Sequence, residues 1–330
     1  MEDYRSLFKN EETLVIGGLG FIGSNLAKKL VELGSKVTIL DSLSLGFGGN
    51  KFNIKEIEDK INLNIDDASD MNIVSRFVKD KKYIFNLAGQ VSHVKSMEEP
   101  IKDLETNCKI PLVVLEACKK FNKNAKVIYT GTRGQYGSPL YTPVDENHPQ
   151  NPMDINGIHK MAAEKYHLLY SKSQGIKTVC LRLTNTYGPR HQMQDPTRGF
   201  IAWFIRLAID NETIKVFGDG KQVRDMNYVG DVVDGILASA ASDKTNGEVY
   251  NLGGQTIELL PLAKMVVDIC GSGKYQLVPY EKEFKKVEIG SYIANIKKIK
   301  ETTGWEPKVS LEDGLKRTIK YYKEHKSEYW

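Results

Sequence analysis

Short apolar runs alternate with helical periodicities along the first two thirds of the chain. Thr13-Leu-Val-Ile16 is an apolar, β-rich run and predicts a buried strand. Ile22, Leu26 and Leu30 then recur every four residues, which is one face of a helix, and Gly34 closes that helix as a C′ glycine. The alternation continues with strands predicted over 36–40, 61–65, 82–89, 125–129 and 177–183 and a loop over 43–50. Helices are predicted over 107–120 and 156–171. Ile158, Ala162, Ala163, Tyr166, Leu169 and Tyr170 form the expected buried side of the second. Strands alternating with helices imply an α/β fold, a Rossmann-type doubly wound parallel sheet with its ligand at the carboxyl ends of the strands.

Past Tyr187 the pattern changes to shorter elements mixed with glycine, proline and charge: a helix over 200–208, a strand over 214–217, a turn at 218–220, a strand over 249–252 and a helix over 311–323. This predicts a cofactor-binding domain over 1–184, with the chain returning to it near 227–241. Residues 185–330 mostly form a smaller C-terminal lobe that binds substrate.

Composition narrows the partners. The net charge of +4 over 330 residues is small and spread out, with no basic block to read as a nucleic-acid footprint. No apolar run of ~18 residues predicts a membrane span, and the N-terminus carries no signal-peptide core. Cys108, Cys118, Cys180 and Cys270 have no close pairing or metal-ligand spacing and read as reduced core residues. No metal site is expected, and a cytoplasmic protein fits.

The chemistry concentrates at the first turn. Gly17, Gly20 and Gly23 fall at three-residue spacing between the first strand and its helix. Gly17 permits a sharp turn, Gly20 lets the backbone approach a pyrophosphate, and Gly23 lets helix and strand pack closely. A pyrophosphate would rest on the free N–H groups of the helix N-terminus. Asp41 ends the next strand, close to the ~20-residue offset at which an acid meets the adenosine ribose hydroxyls. Its charge would repel a 2′-phosphate, so the expected cofactor is NAD rather than NADP.

Motifs through nearly the whole chain resemble one family. They are GGLGFIG (17–23), DSLS (41–44), Asp67, NLAGQ (86–90), Asn107, TGTRGQYG (130–137), PVDENHPQNP (143–152), LRLTNTYGPR (181–190), GDGKQVRD (218–225), YNLGG (250–254) and GWEP (304–307). In this order they resemble the extended short-chain dehydrogenase/reductases that act on nucleotide-linked sugars, including 4-epimerases, 4,6-dehydratases and tyvelose-type epimerases. The resemblance implies cofactor contacts from Gly17, Gly20, Phe21, Ile22, Gly23, Asp41, Ser42, Ser44, Asp67, Ala68, Leu87, Ala88, Gly89, Gln90, Asn107, Thr130 and Lys160. Asp67 and Ala68 would border the adenine, and Lys160 would bond the nicotinamide ribose. Thr132 would bond the reacting sugar hydroxyl, Asn185 would touch the sugar or its phosphates, and Arg224 would grip the diphosphate. The plainer alternative for Arg224 is an ion pair with Asp225 or Asp231. The helices over 104–120 and 156–171 are similar to the pair through which relatives dimerise, so a homodimer or dimer of dimers is implied.

One position departs from the pattern. Asn156 stands where the family carries its catalytic tyrosine, four residues before Lys160 and on the same helix face. An amide cannot act as the base a tyrosinate provides. The proton could leave through Thr132 and water, or through His93, His159, Tyr136 or Tyr187; alternatively the chemistry is slow, or the protein binds NAD and a sugar nucleotide without catalysis. The resemblance also implies which reaction is disfavoured. Dehydratases place Asp-Glu directly after the active-site threonine, whereas here Arg133 and Gly134 follow. The expected reaction is hydride transfer between NAD and a ring hydroxyl, most concretely C4, of a nucleotide-linked sugar. Epimerisation through a transient ketone is the alternative.

Overall fold

The computed structural model describes residues 4–44, 46–279 and 290–330; Leu45, within the loop predicted over 43–50, lies outside the described residues. In chain order the strands are β1 (Glu12–Ile16), β2 (Lys36–Asp41), β3 (Ile61–Ile65), β4 (Tyr83–Asn86), β5 (Lys126–Thr132), β6 (Lys177–Leu183), β7 (Asn185–Tyr187), β8 (Thr213–Phe217), β9 (Val223–Tyr228), β10 (Glu248–Leu252), β11 (Gln255–Glu258) and β12 (Lys274–Val278). The main sheet runs β10-β6-β5-β4-β1-β2-β3, parallel at every pairing. On it pack α1 (Phe21–Glu32), α2 (Met71–Phe77) and, after α3 (His93–Glu98) and α4 (Pro100–Leu104), α5 (Ile110–Phe121), α6 (Ile155–Gln174) and, after α7 (Phe200–Ile209), α8 (Val229–Ala241); α3 and α4 lie against α6.

The strands read as continuous apolar runs because both faces are covered. Val15 and Ile39 enter a core with Leu26, Leu30 and Ile236, while Leu14, Ile16 and Leu40 enter another with Val114 and Val127. The smaller lobe holds the sheet β11-β9-β7 and the parallel pair β12-β8, with its own core around Phe204, Leu262, Leu315 and Tyr322.

Several expectations need correction. The strand predicted over 249–252 among the small-lobe elements is an edge of the main sheet, because α8 carries the chain back and β10 lies parallel to β6. The strand predicted over 82–89 stops at Asn86, so residues 87–90 leave the sheet as a loop. The helix predicted over 107–120 begins earlier and passes through a π-turn at Glu105–Lys109 before α5. Pro111 has no N–H to give the preceding turn, which widens instead. The buried side of α6 also differs. Ala163 is buried as expected, but Ile158 is 44% and Leu169 56% exposed, while Asn156, Lys160, Glu164 and His167 face inward. That inward face meets the ends of β5 and β6, where polar groups find partners and apolar ones would not.

Candidate active site

The glycine turn is built by close approach. Gly17 has φ +82°, and a β-carbon there would lie 2.7 Å from the Ala88 nitrogen. At Gly23 a β-carbon would fall 2.1 Å from the Gly17 carbonyl oxygen, so only hydrogen fits between α1 and the turn. Gly20 opens α1 without a side-chain cap, which leaves the first N–H groups of the helix for a ligand. Asp41 braces the turn, accepting the Leu19 N–H (2.9 Å) at Oδ2 and the Leu43 N–H (2.8 Å) at Oδ1. Each oxygen keeps a lone pair for a hydroxyl. Burial pushes the Asp41 carboxyl above its usual value, with the two amides pulling it back down.

Two cavities meet at Leu87 and Gly89 and together follow the carboxyl ends of the strands. The first, about 250 Å³, is lined by Gly17, Gly20, Asp41, Ser42, Ser44, Asp67, Ala68, Leu87, Ala88 and Gly89, all expected cofactor contacts. The second, about 810 Å³, brings Phe21, Ile22, Gln90, Thr130, Thr132, Asn156, Lys160, Asn185 and Arg224 together between the two lobes. A helix N-terminus without a cap, a turn that a side chain would fill, and a carboxylate at the far end fit a dinucleotide.

Gly23 and Asn107, expected as cofactor contacts, line neither cavity. Gly23 is taken up by packing. Asn107 is fully buried and donates from Nδ2 to the Gln90 carbonyl (3.0 Å), so it holds the loop that lines the cavity. The Gln90 side chain turns back to bond both the N–H and the carbonyl of Ser92, and its own carbonyl faces Asn156.

Thr132 ends β5 and caps the short turn Arg133–Tyr136, accepting the Gly134 N–H at 3.1 Å. Among the described residues its hydroxyl proton has no acceptor, which leaves it for a ligand. Behind it the Thr132 N–H donates to Gln135 (3.1 Å), and Gln135 donates to Glu164 (2.9 Å). Glu164 is clasped bidentately by buried Arg182 at 2.8 and 2.7 Å. Burial would raise Glu164, but the Arg182 bond and charge hold it below the usual carboxylate range.

Lys160 reaches from α6 to the Thr130 carbonyl (3.2 Å), over the Tyr129 ring. A β-carbon on Gly89 would come within 2.8 Å of its ammonium, so the glycine makes room for it. Burial lowers Lys160 to about 8, against the opposing pull of Asp103. Asn156 donates from Nδ2 to the Gln90 carbonyl (2.7 Å) and to Asp103 (3.3 Å). Both partners only accept, which settles the amide orientation. Asn185 donates to the Asp225 carbonyl (2.9 Å), and Arg224 to the Gly290 carbonyl (2.9 Å). Asp225 instead takes the N–H groups of Gly254 and Ala294, and Asp231 takes that of Val309, so the two acids weighed as Arg224 partners serve the backbone.

Sequence reasoning missed Asp103, Asp154 and Arg198. Asp103 is buried between Asn156 and His159, a placement nothing in its own segment announces. Asp154 caps α6 by accepting the Gly157 N–H (2.7 Å), a role legible from an acid just ahead of a helix. Arg198 is buried on the wall of the larger cavity, and its Nη1 has no partner among the described residues.

Residues 13–253 match the family model described as NAD dependent epimerase/dehydratase family. The chain is 35% identical over 317 residues to a putative UDP-glucose 4-epimerase of Methanocaldococcus jannaschii, covering 94% of this chain and 98% of that one. It is 31% identical to a CDP-paratose 2-epimerase of Salmonella typhi, covering 92% and 97%. Among solved structures, a UDP-glucose 4-epimerase of Thermotoga maritima, determined with UDP-glucose, superposes with a TM-score of 0.85 at 34% identity, covering 95% of this chain and 99% of that one.

Proposed function

The chain belongs to the NAD-dependent epimerase/dehydratase family, and from that premise we propose that it oxidises, or in reverse reduces, a ring hydroxyl of a nucleotide-linked sugar, at C4. The observation that carries this reading is the convergence of Thr132, Lys160 and Asn185 on one cavity joined to the glycine turn. Bound NAD supplies the hydride acceptor or donor. Gly17, Gly20 and the uncapped start of α1 hold its pyrophosphate, Asp41 its adenosine ribose, and Lys160 its nicotinamide ribose. Thr132 orients the sugar hydroxyl through its O–H. The Lys160 ammonium, itself buried, favours negative charge on the sugar oxygen. Arg224 and Asn185 hold the diphosphate and sugar.

Whether the ketone is released or reduced again on its other face separates a dehydrogenase from an epimerase. The missing tyrosine favours release, because epimerisation needs the proton returned; the epimerase relatives favour return. We further propose a homodimer in the cytoplasm serving polysaccharide synthesis. The exposed apolar side of α3, α4 and α6 (Met97, Ile101, Leu104, Ile158 and Leu169) supports the dimer. Incubating the purified chain with NAD and a panel of nucleotide sugars tests the reading. NADH with a keto product indicates dehydrogenase, an isomer without net NADH indicates epimerase, and neither outcome with any sugar contradicts both. A non-catalytic binder would instead gain activity in Asn156→Tyr that the native chain lacks.

A further inference from the structure

We propose that His93, held by Asp154, accepts and returns the proton of the reacting sugar hydroxyl in place of the tyrosine that Asn156 replaces. This rests on the hydride-transfer reading above and names the acid–base it requires.

Of His93, His159, Tyr136 and Tyr187, His93 is the one that lines the cavity among the described residues; His191 lines it too, but its Nδ1 is taken by the Gln192 carbonyl (2.7 Å) and burial lowers it. His159 points away from it and bonds Asp103 through Nδ1 (2.7 Å). The Tyr136 hydroxyl donates to Asn251 (2.7 Å) and accepts from Arg182 (2.6 Å), and burial raises it to about 12. The Tyr187 hydroxyl donates to the Leu311 carbonyl (3.3 Å) and is likewise raised by burial. Neither tyrosine lines the cavity.

His93 stands at the start of α3 and shares the cavity wall with Thr132, Gly134, Asn156 and Lys160. A β-carbon built on Gly134 would sit 3.2 Å from His93 Cε1 and 3.5 Å from Thr132 Oγ1. The imidazole edge and the threonine hydroxyl therefore flank one small space, kept open by a glycine. His93 Nδ1 lies 2.7 Å from Asp154 Oδ2. Asp154 is only 5% exposed and pinned as the cap of α6, so it cannot swing away. Burial would raise its carboxyl, but the bond and charge of His93 hold it below the usual range. An ionised carboxylate only accepts, so in neutral His93 the proton sits on Nδ1 and the lone pair on Nε2. Among the described residues nothing bonds Nε2. This is the arrangement of a base oriented by a carboxylate.

In the oxidative direction the sugar O–H bond breaks and its proton goes to Nε2. The carbinol C–H electrons leave as hydride to the nicotinamide, and C–O becomes C=O. The imidazolium that results faces the Asp154 carboxylate. In the reductive direction it returns the proton to the oxygen, which suits either outcome of the panel assay. The other charged groups on the cavity wall are Lys160 of α6, Arg133 of the turn after β5, and Arg198, Arg224, Glu212 and Lys215 of the small lobe, with Asp103 behind Asn156. The cations oppose the imidazolium, and Asp154 is the carboxylate bonded to His93, so it is the group that sustains it.

The test uses the full chain with NAD and the sugar it turns over. His93→Gln lowers kcat by about 10²–10⁴-fold, with KM and NAD affinity unchanged, and added imidazole restores part of the loss. Asp154→Asn keeps the helix cap, since Asn caps as well as Asp. It moves the acid limb of kcat/KM to lower pH, in step with the His93 titration followed by NMR in the protein without substrate. His159→Gln leaves kcat and the limb in place. Wild-type turnover and an unmoved limb in folded His93→Gln would overturn the proposal, as would an Asp154→Asn variant whose His93 titration is unchanged. A wild-type chain that binds NAD but converts no nucleotide sugar contradicts the hydride-transfer reading itself, and the proposal falls with it.

Discussion

Thr132, Asn156 and Lys160 carry distinct parts of the account, and each can be removed separately. Thr132→Ala should abolish turnover and leave NAD binding intact; unchanged turnover would take Thr132 out of its role. Asn156 holds Asp103 and the Gln90 carbonyl from within the core. Asn156→Ala leaves a buried carboxylate short of a donor and should cost about 1–3 kcal/mol, read as a lower denaturant midpoint. Lys160 makes a signed prediction. Its proton is held up to about pH 8 in the fold, below the ordinary lysine value of 10.5. Between these pH values the unfolded chain binds more protons, so stability attributable to this site rises with pH across that window. Lys160→Met should therefore be more stable than wild type at neutral pH, with the gap closing toward pH 10. Turnover should move the other way and fall above about pH 8 as the ammonium is lost. At this scale Thr132, Asn156 and Lys160 could be named from the motifs the chain shares with its family, and the fold brings all three to one cavity. The His93–Asp154 pair was not legible, because 61 residues separate its members and only the fold brings them together.

The β1–turn–α1 unit was the most legible element. Each glycine has one steric reason, and the structure supplies it: no side chain fits at Gly17 or Gly23 without moving backbone. Gly23→Ala should cost about 1–3 kcal/mol by overpacking and weaken NAD binding, checked by thermal melting and cofactor fluorescence. Unaltered binding would mean that α1 does not have to approach the turn. Helix α6 was misread for a physical reason. Periodicity marks an apolar face and assumes that it points inward. Here the inward face is polar, since Lys160, Glu164 and Asn156 find fixed partners at the strand ends. The apolar Ile158 and Leu169 are left outside. Residues 87–89 were read as strand because they are small or apolar, a pattern shared by a buried strand and by a loop lining a cavity.

At the scale of the whole molecule, the parallel sheet was legible from alternating elements, whereas the placement of β10 in it was not. Strand pairing at the far edge depends on where α8 returns the chain, which no local pattern encodes. The exposed apolar face of α3, α4 and α6 supports the proposed homodimer. Leu169→Glu should convert a dimer to a monomer in light scattering, with the fold intact by circular dichroism; a wild-type monomer would contradict the dimer. The central claim, hydride transfer at the sugar C4, is tested most directly with a nucleotide sugar deuterated at that carbon. The account predicts a primary isotope effect, with the deuterium recovered in NADH or returned to C4 without exchange into solvent. Deuterium that washes into water, or product formed with no isotope effect in a single turnover, would contradict it.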